Sequence, residues 1–310
     1  MTGKQPLVVI LGATATGKTQ LGIAIAQELN GEIIGADSRQ VYRFMNIGTA
    51  KPTAEERESV VHHLVDYLDP VDHLSLAQYQ EAAYAAIGDI QSRRKLPLLV
   101  GGTGQYITAV VEGWSIPQVE PNLALREELE AVAATEGNQA LHARLQVLDP
   151  EYAEKIHPNN VRRVIRALEV CLTTGDTMTN LQRKQPPPYV TLTIGLQMER
   201  EKLYARADQR LDMMIKSGLV EEVRGLIDMG YARDLPAMSA VGYVEVLRHL
   251  YDDEPLDEVI TVAKNNTHDF IRKQEIWFRG HDHGILWHNV DYADSDTIVQ
   301  EVKTWREELD

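Results

Sequence analysis

Apolar positions along this chain follow two rhythms. Short continuous or alternating apolar runs at 7–11 (LVVIL), 32–36, 96–100 and 189–198 predict strands. Between and after them the spacing changes to three and four. Tyr79, Ala82, Ala83, Ala86 and Ile90 fall on one face of a helix over 76–94, and 20–29, 202–226 and 263–279 also read as helical. From Trp114 to about Pro188 the strand signal disappears, and 123–134, 139–148 and 161–173 all read as helices. Prolines 117 and 121 stand at one end of that stretch and 186, 187 and 188 at the other. The pattern predicts an α/β fold: a core with a parallel sheet over 1–113 and 189–310, and an inserted all-helical domain over 114–188. The acidic stretch after Gly280 suggests no element, and no repeat or low-complexity tract is present.

Composition narrows the function classes. A formal net charge of -15 over 310 residues gives no overall attraction for nucleic acid, so an RNA partner would need a local basic patch. Cys171 is the only cysteine, which excludes an internal disulfide, and its helical neighbours suggest a buried thiol. The apolar run near the start is too short for a signal peptide, and no stretch approaches the roughly 18 apolar residues of a membrane span. The expectation is a cytoplasmic protein without a membrane partner. Nothing suggests a self-complementary stripe, so a monomer is expected.

The strongest chemistry lies just past the first strand. Gly12, Ala13, Thr14, Ala15, Thr16, Gly17, Lys18 and Thr19 fit G-x-x-x-x-G-K-[ST] between a strand and a helix. The glycines let successive N–H groups point inward, and the new helix adds its positive end. Lys18 supplies a point charge, and the Thr19 hydroxyl suits Mg²⁺. The chain is expected to bind a di- or triphosphate there, and the predicted parallel-sheet core is therefore P-loop NTPase-like.

Other candidates sit on the same predicted edge. Asp37 closes the second strand, either near the phosphates or as a turn and cap residue. Ser38, Arg39 and Gln40 follow it as a dense hydrogen-bonding run. Lys51 is a second cation near phosphate or, equally, a solvated surface lysine. A second glycine-rich turn, 101–106, presents the Thr103 hydroxyl. The strand before it lacks the terminal acid that a nucleotide hydrolase uses for Mg²⁺, which argues against a motor or switch NTPase. His62 and His63 adjoin on a strand and point to opposite faces, so they do not suggest zinc; His281 and His283 suggest none either. Arg162, Arg163 and Arg166 on one helix are the local basic patch an RNA partner would need, or else a solvated face. Arg206 and Arg210 are four apart; either clamps an anion or pairs with Asp208 or Asp212.

As a set, GATATGKT (12–19), ADSRQVY (36–42), IGTAKP (47–52), HHLVD (62–66), GGTGQY (101–106), HPNNVRRVIRALEV (157–170), VGY (241–243) and RKQEIWFR (272–279) resemble the tRNA dimethylallyltransferase family, over nearly the whole chain. The resemblance implies transfer of a dimethylallyl group from dimethylallyl diphosphate to N6 of the adenine beside the 3′ end of the anticodon, in tRNAs reading U-initial codons. The adenine would be flipped into a channel opposite the donor. It implies Asp37 as general base, and Thr103 and Arg210 as groups steadying the leaving diphosphate beside Lys18 and Mg²⁺ on Thr19. It also implies tRNA contacts from Asp37, Ser38, Arg39, Gln40, Thr103, Arg126, Arg162, Arg163, Arg166, Gly242 and Tyr243. The chain departs from the family pattern at Ala13 and Thr16, at Asn160, at Val244 and over 267–271 (THDFI). Two rival readings remain at this point: a small-molecule kinase with ATP in the same cradle, and a noncatalytic RNA-binding protein.

Overall fold

The computed structural model describes residues 5–185, 187–282 and 284–309; Pro186 and His283 lie outside them. The chain divides into two compact units, one formed by Met1–Val111 and Pro188–Asp310, the other by Glu112–Pro187.

The larger unit is built on a six-stranded sheet: β1 (Gln5–Gly12), β2 (Gly31–Ala36), β3 (His62–His63), β4 (Leu96–Gly101), β5 (Tyr189–Gln197) and β6 (Leu286–Asn289). Their order is β3-β2-β4-β1-β5-β6, and every adjacent pair is parallel. β1 is therefore central, and all strand carboxyl ends open on one edge. Alternate side chains enter opposite faces, as the two-residue period of a strand requires. Val8, Ile10, Ile33, Leu98 and Ile194 pack beneath Leu21 and Ile25 of the helix Lys18–Glu28. Leu7, Val9, Ile34 and Leu99 meet Tyr79, Ile87 and Ile90 of the helix Leu76–Ser92. A third cluster joins Val41, Tyr42 and Met45, from the connection after β2, to Val223, Tyr243 and Val246.

Several elements differ from the sequence expectation. The stretch 202–226 is two helices, Arg200–Lys216 and Leu219–Asp228, because Gly218 takes φ +100° and turns the chain. The last helix before the tail begins earlier, at Leu256, and runs to Gly280. The tail itself contributes edge strand β6 and the helix Ser295–Glu307, whose Ile298 and Val302 complete the first core cluster. Its apolar residues are few and scattered among acids, so neither period stands out.

The smaller unit is helical. Leu129, Leu141, Leu145, Val164, Ile165 and Leu168 form its core. Glu169 is buried at 0% exposure and holds two arginines: Arg126 Nε and Nη2 donate to it, both at 2.8 Å, and Arg166 Nη1 at 2.6 Å. Arg166 Nη2 also donates to the carbonyls of Pro117 and Val119. Burial works against the charged form of Glu169, but the two guanidiniums prevail and lower its pKa. Removing such a carboxylate leaves cations facing an apolar core. Because both arginines stay a third exposed, Glu169→Ala is expected to lower stability by about 2 kcal/mol rather than the full cost of a buried pair. Urea unfolding of the variant checks this.

Candidate active site

The cradle is shaped by three backbone features. At Gly12 an added Cβ would lie 2.5 Å from the carbonyl oxygen of Leu196 on β5, so no side chain fits. Gly17 takes φ +95° and Ala15 takes φ 66°, and this alternation of hand turns successive N–H groups to one side. Thr16 Oγ1 and Lys18 Nζ both bond to Ala13 O, at 2.9 and 2.7 Å. Thr19 lies in the first turn of the helix Lys18–Glu28, where its hydroxyl accompanies the positive helix end.

The helix Arg200–Lys216 brings cations to this loop. Arg210 Nη2 donates to Thr14 Oγ1 at 2.5 Å, and a Cβ at Gly17 would lie 3.8 Å from Arg206 Nη2. Arg210 and Lys18 each lie in low-dielectric surroundings. Burial, reinforced by Arg210 and opposed by Asp37, pushes the Lys18 ammonium down to about 8. Burial also lowers Arg210, while Asp37 raises it. An anion bound here would restore the charged form of Lys18. The free amine loses its proton above about pH 8, whereas a diphosphate ester is already fully ionised there. Its affinity is therefore expected to fall by about tenfold per pH unit above that point, with proton uptake on binding. Calorimetry in buffers of different ionisation enthalpy measures both.

Asp37 follows β2 directly, on the same edge. Its Oδ1 accepts from Arg39 N at 2.8 Å and Gln40 N at 3.4 Å, so it caps the turn as well as facing the cations. No hydrogen bond from a described residue reaches Oδ2. The second glycine-rich turn docks against this segment: Thr103 N donates to Ala36 O at 3.0 Å, and Thr103 Oγ1 accepts from Ser38 N at 3.0 Å. That leaves the Thr103 hydroxyl proton available to an incoming oxygen. Arg39 reaches Pro236 O and Ser239 Oγ, and Gln40 Nε2 donates to Thr49 O and Ala50 O, both at 3.0 Å. The structure thus gathers Gly12–Thr19, Asp37–Gln40, Thr103 and Arg210. Beside Arg210 a cavity of about 500 Å³ opens between the 46–54 loop and Met213, Met214 and Ser217.

Other candidates sit elsewhere. Lys51 is 7% exposed and donates to Tyr42 O, Asn46 Oδ1 and Asp66, so it pegs its loop and is neither a phosphate ligand nor a solvated lysine. Tyr243 has no exposed surface; its hydroxyl donates to Glu222 Oε1, and an added Cβ at Gly48 would collide with its ring. Its side chain supports the 46–48 loop and offers nothing to an outside partner. Gly242 is buried beside it at φ +94°. Arg162 and Arg163 are exposed on the helical unit, while Arg126 and Arg166 hold Glu169. His63 joins Arg93 and Lys95 on buried Glu32 at the start of β2; Arg93 foremost keeps that carboxyl far below the usual range. Among the described residues no group of three or more His, Cys, Asp or Glu side chains is placed to hold a metal.

Two supporting residues escaped the sequence reading. Glu222 accepts from the backbone N–H groups of Asn46, Ile47 and Gly48, and Gln274 bonds both glycine-rich turns. Glu222 is one acid among many on a helix, and nothing in its spacing marks it. Gln274 stood inside the RKQEIWFR motif, with no local cue to its partners.

Comparison with known proteins identifies the family. The IPP transferase family profile matches residues 40–281, and an isopentenyl transferase profile matches 5–70. A tRNA dimethylallyltransferase of Chloroflexus aggregans is 52% identical over 94% of this chain and 99% of its own. That of Herpetosiphon aurantiacus is 53% identical over 90% of this chain and 89% of its own. Among solved structures, the tRNA isopentenylpyrophosphate transferase of Bacillus halodurans superposes with a TM-score of 0.72 at 41% identity, covering 99% of this chain and 97% of that one. A eukaryotic dimethylallyltransferase acting on tRNA gives 0.84 at 26% identity, covering 98% and 80%. On the match of profile, relatives and fold together, the chain belongs to the IPP transferase family, the tRNA dimethylallyltransferases.

Proposed function

We propose that this protein transfers the dimethylallyl group of dimethylallyl diphosphate to N6 of the adenine 3′-adjacent to the anticodon, in tRNAs reading U-initial codons. The observation that carries this reading is the placement of Asp37 in the electrostatic field of Lys18 and Arg210, beside a phosphate cradle. The donor's diphosphate takes the N–H groups of Gly12–Thr19 and the charges of Lys18 and Arg210. The adenine leaves its stack, because its amine is out of reach inside the anticodon loop. N6 forms a bond to C1 of the donor as the C1–O bond to diphosphate breaks. The N6 proton passes to the Asp37 carboxylate, whose orientation is fixed by the Arg39 N–H on Oδ1. Charge developing on the leaving oxygen is met by Arg210, Lys18 and the Thr103 hydroxyl.

Thr19 at the helix start fits Mg²⁺, which keeps several waters and binds chiefly through substrate phosphates, so a lack of carboxylates is no obstacle. When bound, the ion neutralises diphosphate charge. Arg162 and Arg163, with Ser38, Arg39 and Gln40, are the contacts this reading gives to the anticodon stem-loop. Arg126 and Arg166 would contribute only through the faces that Glu169 leaves free. The enzyme would act as a monomer in the cytoplasm. Incubation of labelled dimethylallyl diphosphate with unmodified tRNA tests the reading: label is expected in tRNA, and a folded protein that transfers none contradicts it.

A further inference from the structure

A single buried amide joins the two glycine-rich turns. Gln274, on the helix Leu256–Gly280, is 6% exposed. Its Oε1 accepts from Thr14 N at 2.9 Å and its Nε2 donates to Gly102 O at 2.8 Å. The amide's orientation is set by chemistry, since a backbone N–H only donates and a carbonyl only accepts. The contact is close: a Cβ on Gly102 would lie 2.5 Å from Nε2. Each turn then leads to a group of the proposed chemistry. Thr14 carries on its hydroxyl the guanidinium of Arg210. Gly102 precedes Thr103, which is docked on Ala36 and Ser38 beside Asp37.

The geometry points to Gln274 as a positioning residue that sets the spacing between the phosphate cradle and the Thr103 turn, and so aims Arg210 and Thr103 at one diphosphate. It acts through Thr14 and Gly102 and needs no contact with substrate. This rests on the reading in which Arg210 and Thr103 steady the leaving group. An apolar side chain of similar length fills the same space but leaves a donor and an acceptor unpaired, so the turns drift apart. Displacements on the scale of an ångström are enough to lower turnover by about a hundredfold.

The test is steady-state transfer by Gln274→Met and Gln274→Glu, each alone and with Thr103→Ala, alongside thermal unfolding. For Gln274→Met we expect kcat to fall about 10- to 100-fold with the KM for tRNA within about twofold, and the loss to shrink markedly when Thr103 is already alanine. Gln274→Glu carries a titratable copy of the amide. Protonated, its O–H donates to Gly102 O while its carbonyl accepts from Thr14 N; ionised, it sets an acceptor oxygen against the acceptor Gly102 O. Burial favours the protonated form, so its kcat relative to wild type should rise as pH falls. Wild-type kcat in Gln274→Met, an undiminished loss in the Thr103→Ala background, or a pH-independent ratio for Gln274→Glu would each overturn the proposal. Should Gln274→Met not fold, the Gln274→Glu profile decides. Calorimetry with inorganic diphosphate separates this from failure of the catalytic reading. Even if wild type transfers nothing, Gln274→Met should bind diphosphate about tenfold more weakly, and equal affinity would refute the positioning role.

Discussion

Replacing Asp37 by asparagine is expected to lower kcat by about 10²- to 10⁴-fold while leaving the fold intact. In the proposed mechanism Asp37 has two roles in one carboxyl group. Oδ1 caps the turn through Arg39 N and Gln40 N, which an asparagine oxygen also does. Under the proposed mechanism the carboxylate also takes the proton from N6, which an amide does not. Alanine removes both roles and should add a stability loss of about 1 kcal/mol to the same kinetic defect. Kinetics and unfolding measured on both variants separate the roles. An active Asp37→Asn enzyme would show that the residue is only a cap.

The second large effect is expected at Arg210. Its guanidinium touches Thr14 in the cradle and lies in the field of Asp37 and Lys18. Preorganised cations matter most where charge develops, so Arg210→Ala should reduce kcat by about 10²- to 10³-fold, with little change in the KM for tRNA. Lysine is a poor substitute, because a point charge does not reproduce a planar fork held on Thr14. Added guanidinium should restore part of the lost rate in Arg210→Ala and none in Asp37→Asn. A variant with normal kcat would remove Arg210 from the leaving-group site.

Which parts of this arrangement were legible in the chain follows from how local their causes are. The cradle was readable because its eight residues are contiguous and its two glycines and the helix start mark it, although the left-handed turn at Ala15 carries no such mark. The sheet was readable because its central strands are buried on both faces and carry unbroken apolar runs. The edge strand β6 and the helix Ser295–Glu307 were not, since each buries only a few residues against a core supplied from elsewhere. Lys51 misled for a related reason: its partners Tyr42, Asn46 and Asp66 are set by how the connection after β2 folds back. The arginines of the helical unit looked like one cationic patch, but whether a guanidinium is free depends on Glu169, whose side chain turns inward. Glu222 and Gln274 are wholly tertiary. Gln274 meets its backbone partner Thr14 across 260 positions, a separation that no local pattern can announce.

The central claim is spatial: donor diphosphate and a proton-accepting carboxylate share the edge formed by β1, β2 and β4. The most direct measurement is a crystal structure with an unreactive dimethylallyl diphosphate analogue and an anticodon stem-loop. The account predicts diphosphate on Gly12–Thr19 with Arg210 against it, the flipped adenine's N6 within hydrogen-bond reach of Asp37, and the donor carbon between them. Diphosphate bound away from Lys18, or an Asp37 carboxylate turned from the adenine, would contradict it.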